Sequence, residues 1–275
     1  MFLSVIVSTY NQPDWLEKVL IGYQYQRYTN FEIVIADDGS NEETRELITR
    51  YQEKNLYPIQ HIWHEDDGFR KTIILNKAIQ ASKGKYLVIT DGDCIPRADF
   101  LEVHKANAKK GYFLSAGMFR LTLDVSHKIT AGDIKEQRCF NIKYLQQLGQ
   151  PKRFFKDLKC RINKNRQKTL ANTLTPTRAS WNGHNSSGWK ADIIRVNGFD
   201  ERMRYGGEDR ELGERLINVG IKSKQLRYSA ICLHLEHKRG YVTKEDWERN
   251  HQIRKETKIK KINWTPYGLV REPTL

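Results

Sequence analysis

The chain has 275 residues, enough for one large domain or two small ones, with a core that needs no disulfide or metal staple. Hydrophobic residues make up 39% and charged residues 29%, which excludes a disordered polymer. The longest apolar runs, residues 3–7 and 31–36, fall far short of the roughly 20 residues that a membrane span needs. The balance of 47 Lys and Arg against 33 Asp and Glu leaves +14, and a surplus of that size calls for nucleic acid, anionic lipid or a phosphorylated substrate.

No basic leader precedes the first strand-like run, so the expected location is cytoplasmic. Cys94, Cys139, Cys160 and Cys232 are far apart and form no CxxC pair. That argues against a zinc site or a disulfide scaffold and for a reducing compartment.

The apolar, β-branched run 3–8 predicts a buried strand. Asn11 and Pro13 then predict a capped helix carrying Trp15, Val19, Leu20 and Tyr23 on one face. Strands follow at 31–36, 59–63 and 86–90, with helices at 42–53 and 72–82 between them; Asn41 or Ser40 caps the first of these helices. This alternation predicts a parallel α/β sheet, in which ligands bind at the carboxyl ends of strands. Acidic clusters stand at those ends: Asp37-Asp38 after the second strand and Asp91-Gly92-Asp93 after the fourth.

Residues 127–180 break the pattern, with 13 Lys and Arg against 3 Asp and Glu. Within them Phe155, Leu158 and Ile162 share one helical face among Lys152, Arg153, Lys156, Lys159 and Arg161, a basic amphipathic pattern suited to an anionic membrane surface. A second basic stretch, residues 238–261, carries nine Lys and Arg against four Asp and Glu.

Two carboxylates one residue apart on a tight turn, Asp91 and Asp93, can share a divalent ion and the ribose of a nucleotide, and hard oxygen ligands suit Mg²⁺ or Mn²⁺. A carboxylate of the Asp37-Asp38 pair could accept the imide N–H of a uracil, or the segment could serve as a helix cap. Gly206-Gly207-Glu208-Asp209 places two flexible residues before two acids at the start of a helix, where the positive helix end favours ionised carboxylates. Cys232-Leu233-His234-Leu235-Glu236-His237 offers two imidazoles three residues apart.

The ordered set of segments resembles the family-two glycosyltransferases of the GT-A fold. The set comprises Val5-Ile6-Val7-Ser8-Thr9-Tyr10-Asn11, Ile35-Ala36-Asp37-Asp38-Gly39-Ser40, Leu75-Asn76-Lys77-Ala78 with Gly84-Lys85-Tyr86, Asp91-Gly92-Asp93, Gly198-Phe199-Asp200-Glu201 and Gly206-Gly207-Glu208-Asp209. The likeness implies an α/β chain with a Rossmann-like nucleotide-sugar half (1–110) and an acceptor half (111–240) on a mixed sheet. The basic insert 127–180 falls in the second half, and a basic helical tail occupies 241–275.

The likeness further implies that Ser8, Tyr10, Asp38, Arg70, Asp91 and Gly92 bind a UDP-sugar. Asp93 and Asp91 would hold Mn²⁺ or Mg²⁺ with one histidine, His237 before His234. Asp209 would be the base and Glu208 a sugar contact, with Trp181, Asn182 and Trp189 on the acceptor side. The implied reaction is metal-dependent inverting transfer of a hexose or N-acetylhexosamine to a surface polysaccharide or lipid-linked glycan at the inner face of the cytoplasmic membrane. Two rival readings are a basic nucleic-acid-binding module and sugar-nucleotide synthesis on a related fold. Against the second stands Ser8-Thr9-Tyr10-Asn11, where a glycine-rich phosphate loop belongs; against the first, the acids cluster at strand ends and no nucleic-acid motif occurs.

Overall fold

A computed structural model describes residues 1–162, 165–237 and 243–270. Residues 163–164 of the basic insert, and 238–242 and 271–275 of the basic C-terminal stretch, lie outside the described residues. The chain forms β1 (Leu3–Thr9), α1 (Pro13–Gln24), β2 (Phe31–Asp37), α2 (Glu42–Glu53), β3 (Ile59–Trp63), α3 (Lys71–Ala81), β4 (Tyr86–Asp91), β5 (Cys94–Pro96) and α4 (Phe100–Asn107). Next come β6 (Tyr112–Arg120), the short helices α5 (Leu123–Lys128), α6 (Ala131–Lys135) and α7 (Ile142–Gln147), then α8 (Phe154–Arg161) and α9 (Asn165–Leu174). The chain continues with β7 (Ser186–Trp189), α10 (Lys190–Arg195), α11 (Glu208–Asn218), β8 (Lys222–His234) and α12 (Lys244–Ile259).

The strands make one eight-stranded sheet in the order β3-β2-β1-β4-β7-β6-β8-β5. The expected parallel arrangement holds for β3, β2, β1 and β4. The rest of the sheet is mixed: β7 runs antiparallel to β4 and β6, β5 antiparallel to β8, and β6 parallel to β8. β1 and β2 are buried along their whole length, because helices cover both faces of the sheet. One core layer gathers Val5, Leu16, Leu20 and Ile33; the other gathers Ile6, Leu75, Trp181 and Leu212 on the opposite face.

Local chemistry sets the element ends. Asn41 caps α2 by accepting from the Thr44 amide. Asn11 does not cap α1 as expected: its backbone is left-handed and its side chain accepts instead from the Asn41 amide, tying the β1 end to the β2 end. Pro13 still opens α1.

The expected amphipathic helix of the insert is α8, which ends one residue before Ile162, with Phe154 and Phe155 standing 66% and 79% exposed. Lys159 is not part of a basic surface, since its ammonium donates to the Met118 carbonyl at 2.6 Å. Burial lowers its pKa to about 8. A charge reversal at Lys159 therefore perturbs the fold, whereas Lys152, Arg153 and Lys156 remain exposed. The described residues 243–270 pack on the second half of the chain: α12 lies along α11, and the Asn197 amide donates to the Thr265 and Val270 carbonyls. Among the described residues no helix is long and apolar enough to cross a membrane.

Candidate active site

The carboxyl ends of β1, β2 and β4 open onto a cleft of about 650 Å³. Ser8, Tyr10, Asp38, Asp91, Gly92 and Asp93 line it from the nucleotide half. Glu208, Asp209, His234 and His237 line it from the other. Residues more than a hundred positions apart thus meet in one place.

A half-buried ion pair lines the cleft. Lys71 Nζ lies 2.6 Å from Asp91 Oδ1, and the Ser8 hydroxyl donates to the same oxygen at 2.8 Å. Burial alone would raise the Asp91 carboxyl; the Lys71 charge and the two hydrogen bonds overcome it and hold it at about 2. Burial would likewise lower Lys71, but Asp91, then Asp209 and Glu208, carry it well above the usual ammonium range. The sequence reading missed Lys71. Its only signal was its place beside Arg70, at the first position of α3.

Gly206 and Gly207 adopt left-handed backbones, φ +112° and +94°, which strain any other residue. The Gly206 amide donates to Glu208 Oε2 at 2.9 Å. α11 begins at Glu208, but the helix end does not dominate Asp209 as expected. Burial first, then the Glu208 charge, push the Asp209 carboxyl up to about 7 against the pull of Lys71. A rise from 3.8 to about 7 is on the order of 4 kcal/mol, beyond the roughly 0.3–1 kcal/mol that a helix terminus offers a carboxylate. Asp209 Oδ1 is buried and has no hydrogen-bond partner among the described residues. A β-carbon at Gly183 would stand 2.6 Å from Asp209 Oδ2, so only glycine lets that loop close over the acid.

The metal donors come together across the sheet. β8 pairs with β5 so that His234 faces Cys94, and the Leu235 amide donates to the Asp93 carbonyl at 2.8 Å. This register brings His234 Nε2 to 3.4 Å and His237 Nε2 to 2.9 Å from Asp93 Oδ2. The likeness implies one histidine; the geometry offers two candidates, since all three donor atoms lie within 4.8 Å of one another. One carboxylate with two imidazoles fits a divalent ion that accepts nitrogen, and fits Mg²⁺, which favours all-oxygen shells, less well. Asp91 belongs to a second candidate cluster with Asp93 and Cys94, but its Oδ1 is already engaged by Lys71 and Ser8.

Other expected residues fall in three groups. Asp38 lies in the cleft with one oxygen bonded to His64 Nε2 at 2.7 Å and the other accepting from the Arg70 amide at 2.9 Å. Tyr10 is 44% exposed, and its hydroxyl donates to Asp66 at 2.8 Å. Arg70 contributes its backbone only: the guanidinium turns to the Glu65 carbonyl and to Asp67 and does not line the cleft.

The acceptor-side expectations change most. Trp181 has no exposed surface, its ring packed against Phe113 and Gly188 and its Cβ against Gly213, so it does not offer a face to a sugar. Trp189 packs edge-on against Tyr86 and does not line the cleft. Asn182 does line it, with its amide holding Ser115 and Asn185. The exposed tryptophan in the cleft is Trp247 of α12, which sequence reasoning assigned to the tail.

The chain is 26% identical over 243 residues to chondroitin synthase of Escherichia coli, covering 85% of this chain and 34% of that protein. It is also 26% identical over 233 residues to validoxylamine A glucosyltransferase of Streptomyces hygroscopicus subsp. jinggangensis, covering 80% of this chain and 52% of that one. The chain thus spans about a third to a half of the length of these relatives.

Among solved structures, S. aureus TarS 1–349 in complex with UDP-GlcNAc superposes with a TM-score of 0.62 at 18% identity, over 92% of this chain and 65% of that one. The mannosyltransferase PcManGT from Pyrobaculum calidifontis, in complex with GDP-Man and Mn²⁺, gives 0.57 at 19%, over 94% and 62%. Both likenesses bear on the fold, which is of the GT-A type. Residues 177–238 match the N-terminal domain of galactosyltransferase. Residues 4–175 match glycosyl transferase family 2, and with well over half the chain inside that match, the protein belongs to this family.

Proposed function

We propose that the chain transfers a hexose or N-acetylhexosamine from a UDP-sugar to a hydroxyl of a polysaccharide or lipid-linked glycan, with inversion and with a divalent ion held by Asp93, His234 and His237. The observation that carries this reading is the pairing, in one cleft, of that donor set with Asp209, whose carboxyl titrates near neutrality. A base of about that pKa is suited to taking a hydroxyl proton at pH 7.

In the proposed step Asp209 accepts the acceptor O–H proton while that oxygen bonds the anomeric carbon. The bond from that carbon to the diphosphate oxygen breaks, and its electron pair leaves with UDP. A single base and a single displacement give inversion. The ion, when bound, offsets charge gathering on the diphosphate. Asp38 supports a uracil as base, because its cleft-facing carboxylate can accept an imide N–H, and Asp91, kept ionised by Lys71, suits ribose hydroxyls. Glu208, buried and held by the Gly206 amide, is placed as a sugar contact.

Nucleotide release from UDP-glucose, UDP-GlcNAc and GDP-mannose with Mn²⁺ checks the reading. UDP is expected from a UDP-sugar, and EDTA is expected to stop it. Absence of release from every donor, together with a gel shift of RNA or DNA, would favour the nucleic-acid reading instead. Against that alternative, Asp91, Asp93, Glu208 and Asp209 line the cleft and would repel a phosphate backbone.

The same reading places the enzyme at an anionic membrane surface. Phe154 and Phe155 project from α8 beside the exposed Lys152, Arg153 and Lys156. Such cations contribute about 1 kcal/mol each toward an anionic leaflet. α8 packs on β6, whose Met118 and Arg120 line the cleft, so a membrane-held acceptor would lie near it. Co-flotation with phosphatidylglycerol vesicles at low salt is expected, with loss at 1 M salt as the screening length shrinks to about 3 Å. No flotation at low salt overturns this placement.

A further inference from the structure

The loop expected to hold the acceptor turns its tryptophans into the core, as Trp181 is fully buried and Trp189 packs on Tyr86. The C-terminal helix presents another one. Trp247, His251 and Arg254 stand at helix positions i, i+4 and i+7, so one face of α12 carries all three, and all three line the cleft. Trp247 is 55% exposed.

α12 is fastened to the segment that carries the proposed base. The Asn250 amide donates to the Arg204 and Tyr205 carbonyls at 3.0 and 3.1 Å. Thr257 Oγ1 donates to Glu211 at 3.1 Å, and Arg254 pairs with Glu214 at 2.6 Å. The two glycines before Glu208 and Asp209 fit this helix. A β-carbon at Gly206 would stand 3.0 Å from Trp247 Nε1, and one at Gly207 would stand 2.8 Å from Arg254 Cδ. The glycine pair therefore lets Trp247 and Arg254 lie against the backbone within three residues of Asp209.

Two nitrogen-bearing side chains, Arg210 and His251, line this side of the cleft beside the carboxylates of Glu208 and Asp209. Arg210, exposed in the first turn of α11, lines the cleft and has no carboxylate partner among the described residues. His251 is exposed on the same side chain row as Trp247. The Arg254 guanidinium is paired with Glu214, and its Nε is buried with no partner among the described residues.

We infer that Trp247 is the acceptor platform, stacking on a sugar ring, and that Arg210 and His251 select an acceptor sugar bearing an anionic group, a carboxylate or a phosphate. An aromatic face suits the apolar face of a sugar ring. Guanidinium hydrogen bonds to an oxyanion are among the stronger ones that proteins make. The inference rests on the proposed transfer at Asp209 and names the substrate class of that site.

Three acceptors of equal length test it: an oligosaccharide ending in a uronic acid, one ending in a sugar phosphate, and a neutral one. Donor binding is measured separately, by calorimetry with UDP and Mn²⁺. At least one acidic acceptor is expected to exceed the neutral one in kcat/KM by about tenfold or more, a difference that one good charged contact supplies; which of the two does so identifies the anion. Trp247→Ala is expected to raise the acceptor KM about tenfold with the UDP affinity unchanged, and Trp247→Phe to recover most of it. Arg210→Gln is expected to remove the preference for the acidic acceptor.

An equal rate with the neutral acceptor, or an unchanged acceptor KM in Trp247→Ala, overturns the subsite. Absence of UDP binding to the native protein instead overturns the function on which it rests. A Trp247→Ala protein that melts early is set aside in favour of Trp247→Phe and Arg210→Gln, which keep the helix face and still decide the outcome.

Discussion

Asp209→Asn is expected to lower turnover by about 10²–10⁴-fold, the usual contribution of a general base, while UDP affinity stays near native. The amide keeps the shape of the side chain and cannot take the proton. The pH profile carries the sign. Folding raises this carboxyl from 3.8 to about 7, so the fold favours its protonated form. The native enzyme should therefore gain activity as pH rises through about 7, where the base becomes ionised.

Stability should move the other way. The raised pKa leaves the fold unpenalised below the unfolded value near 4 and costs it increasingly as pH climbs toward 7. Asp209→Asn removes that cost. Its melting temperature should match the native protein near pH 4 and exceed it at pH 7, by about 2–4 °C for each kcal/mol relieved. A variant that is dead, more stable at pH 7 and unchanged near pH 4 identifies a charge kept for catalysis. Near-native turnover would reduce Asp209 to a helix-start acid.

Asp93→Ala is expected to weaken Mn²⁺-dependent UDP binding by more than about 100-fold, since even the outer partners of metal ligands are worth about 10–100-fold. Asp93 Oδ2 is the atom that both His234 and His237 approach, so its loss removes the carboxylate from that set. The strand pairing beside it uses the Asp93 carbonyl, which the substitution keeps, so the fold should persist. Calorimetry with UDP, with and without Mn²⁺, reads the effect. Equal affinity with the metal in both proteins would remove Asp93 from the metal site. His234→Ala and His237→Ala separate the expectation of one histidine from the geometry of two: if both count, each weakens Mn²⁺ dependence, and neither abolishes it alone.

The sequence by itself determined the buried strands, the helix periods and the acids at strand ends. Runs of β-branched residues at 3–9, 31–37 and 86–91 have few other solutions than a sheet covered on both faces. The motif order along the chain was enough to identify the family. Local patterning carries this information because strand and helix periods and caps depend on near neighbours.

What only the tertiary structure decided depends on register and burial between distant segments. His234 reaches Asp93 because β8 returns antiparallel to β5, a pairing with no local signature. Lys71 neutralises Asp91 because α3 begins beside the end of β4. Asp209 is pushed upward, against its helix position, because enclosure and Glu208 outweigh the helix end. The tryptophans trade places for the same reason: Trp181 and Trp247 are alike as residues, and only packing against Phe113 and Gly213, or against the edge of Gly206, makes one a core ring and the other a cleft wall. Desolvation and long-range contact are properties of the folded chain, so the chemistry of the site, unlike its location, had to be read from the fold.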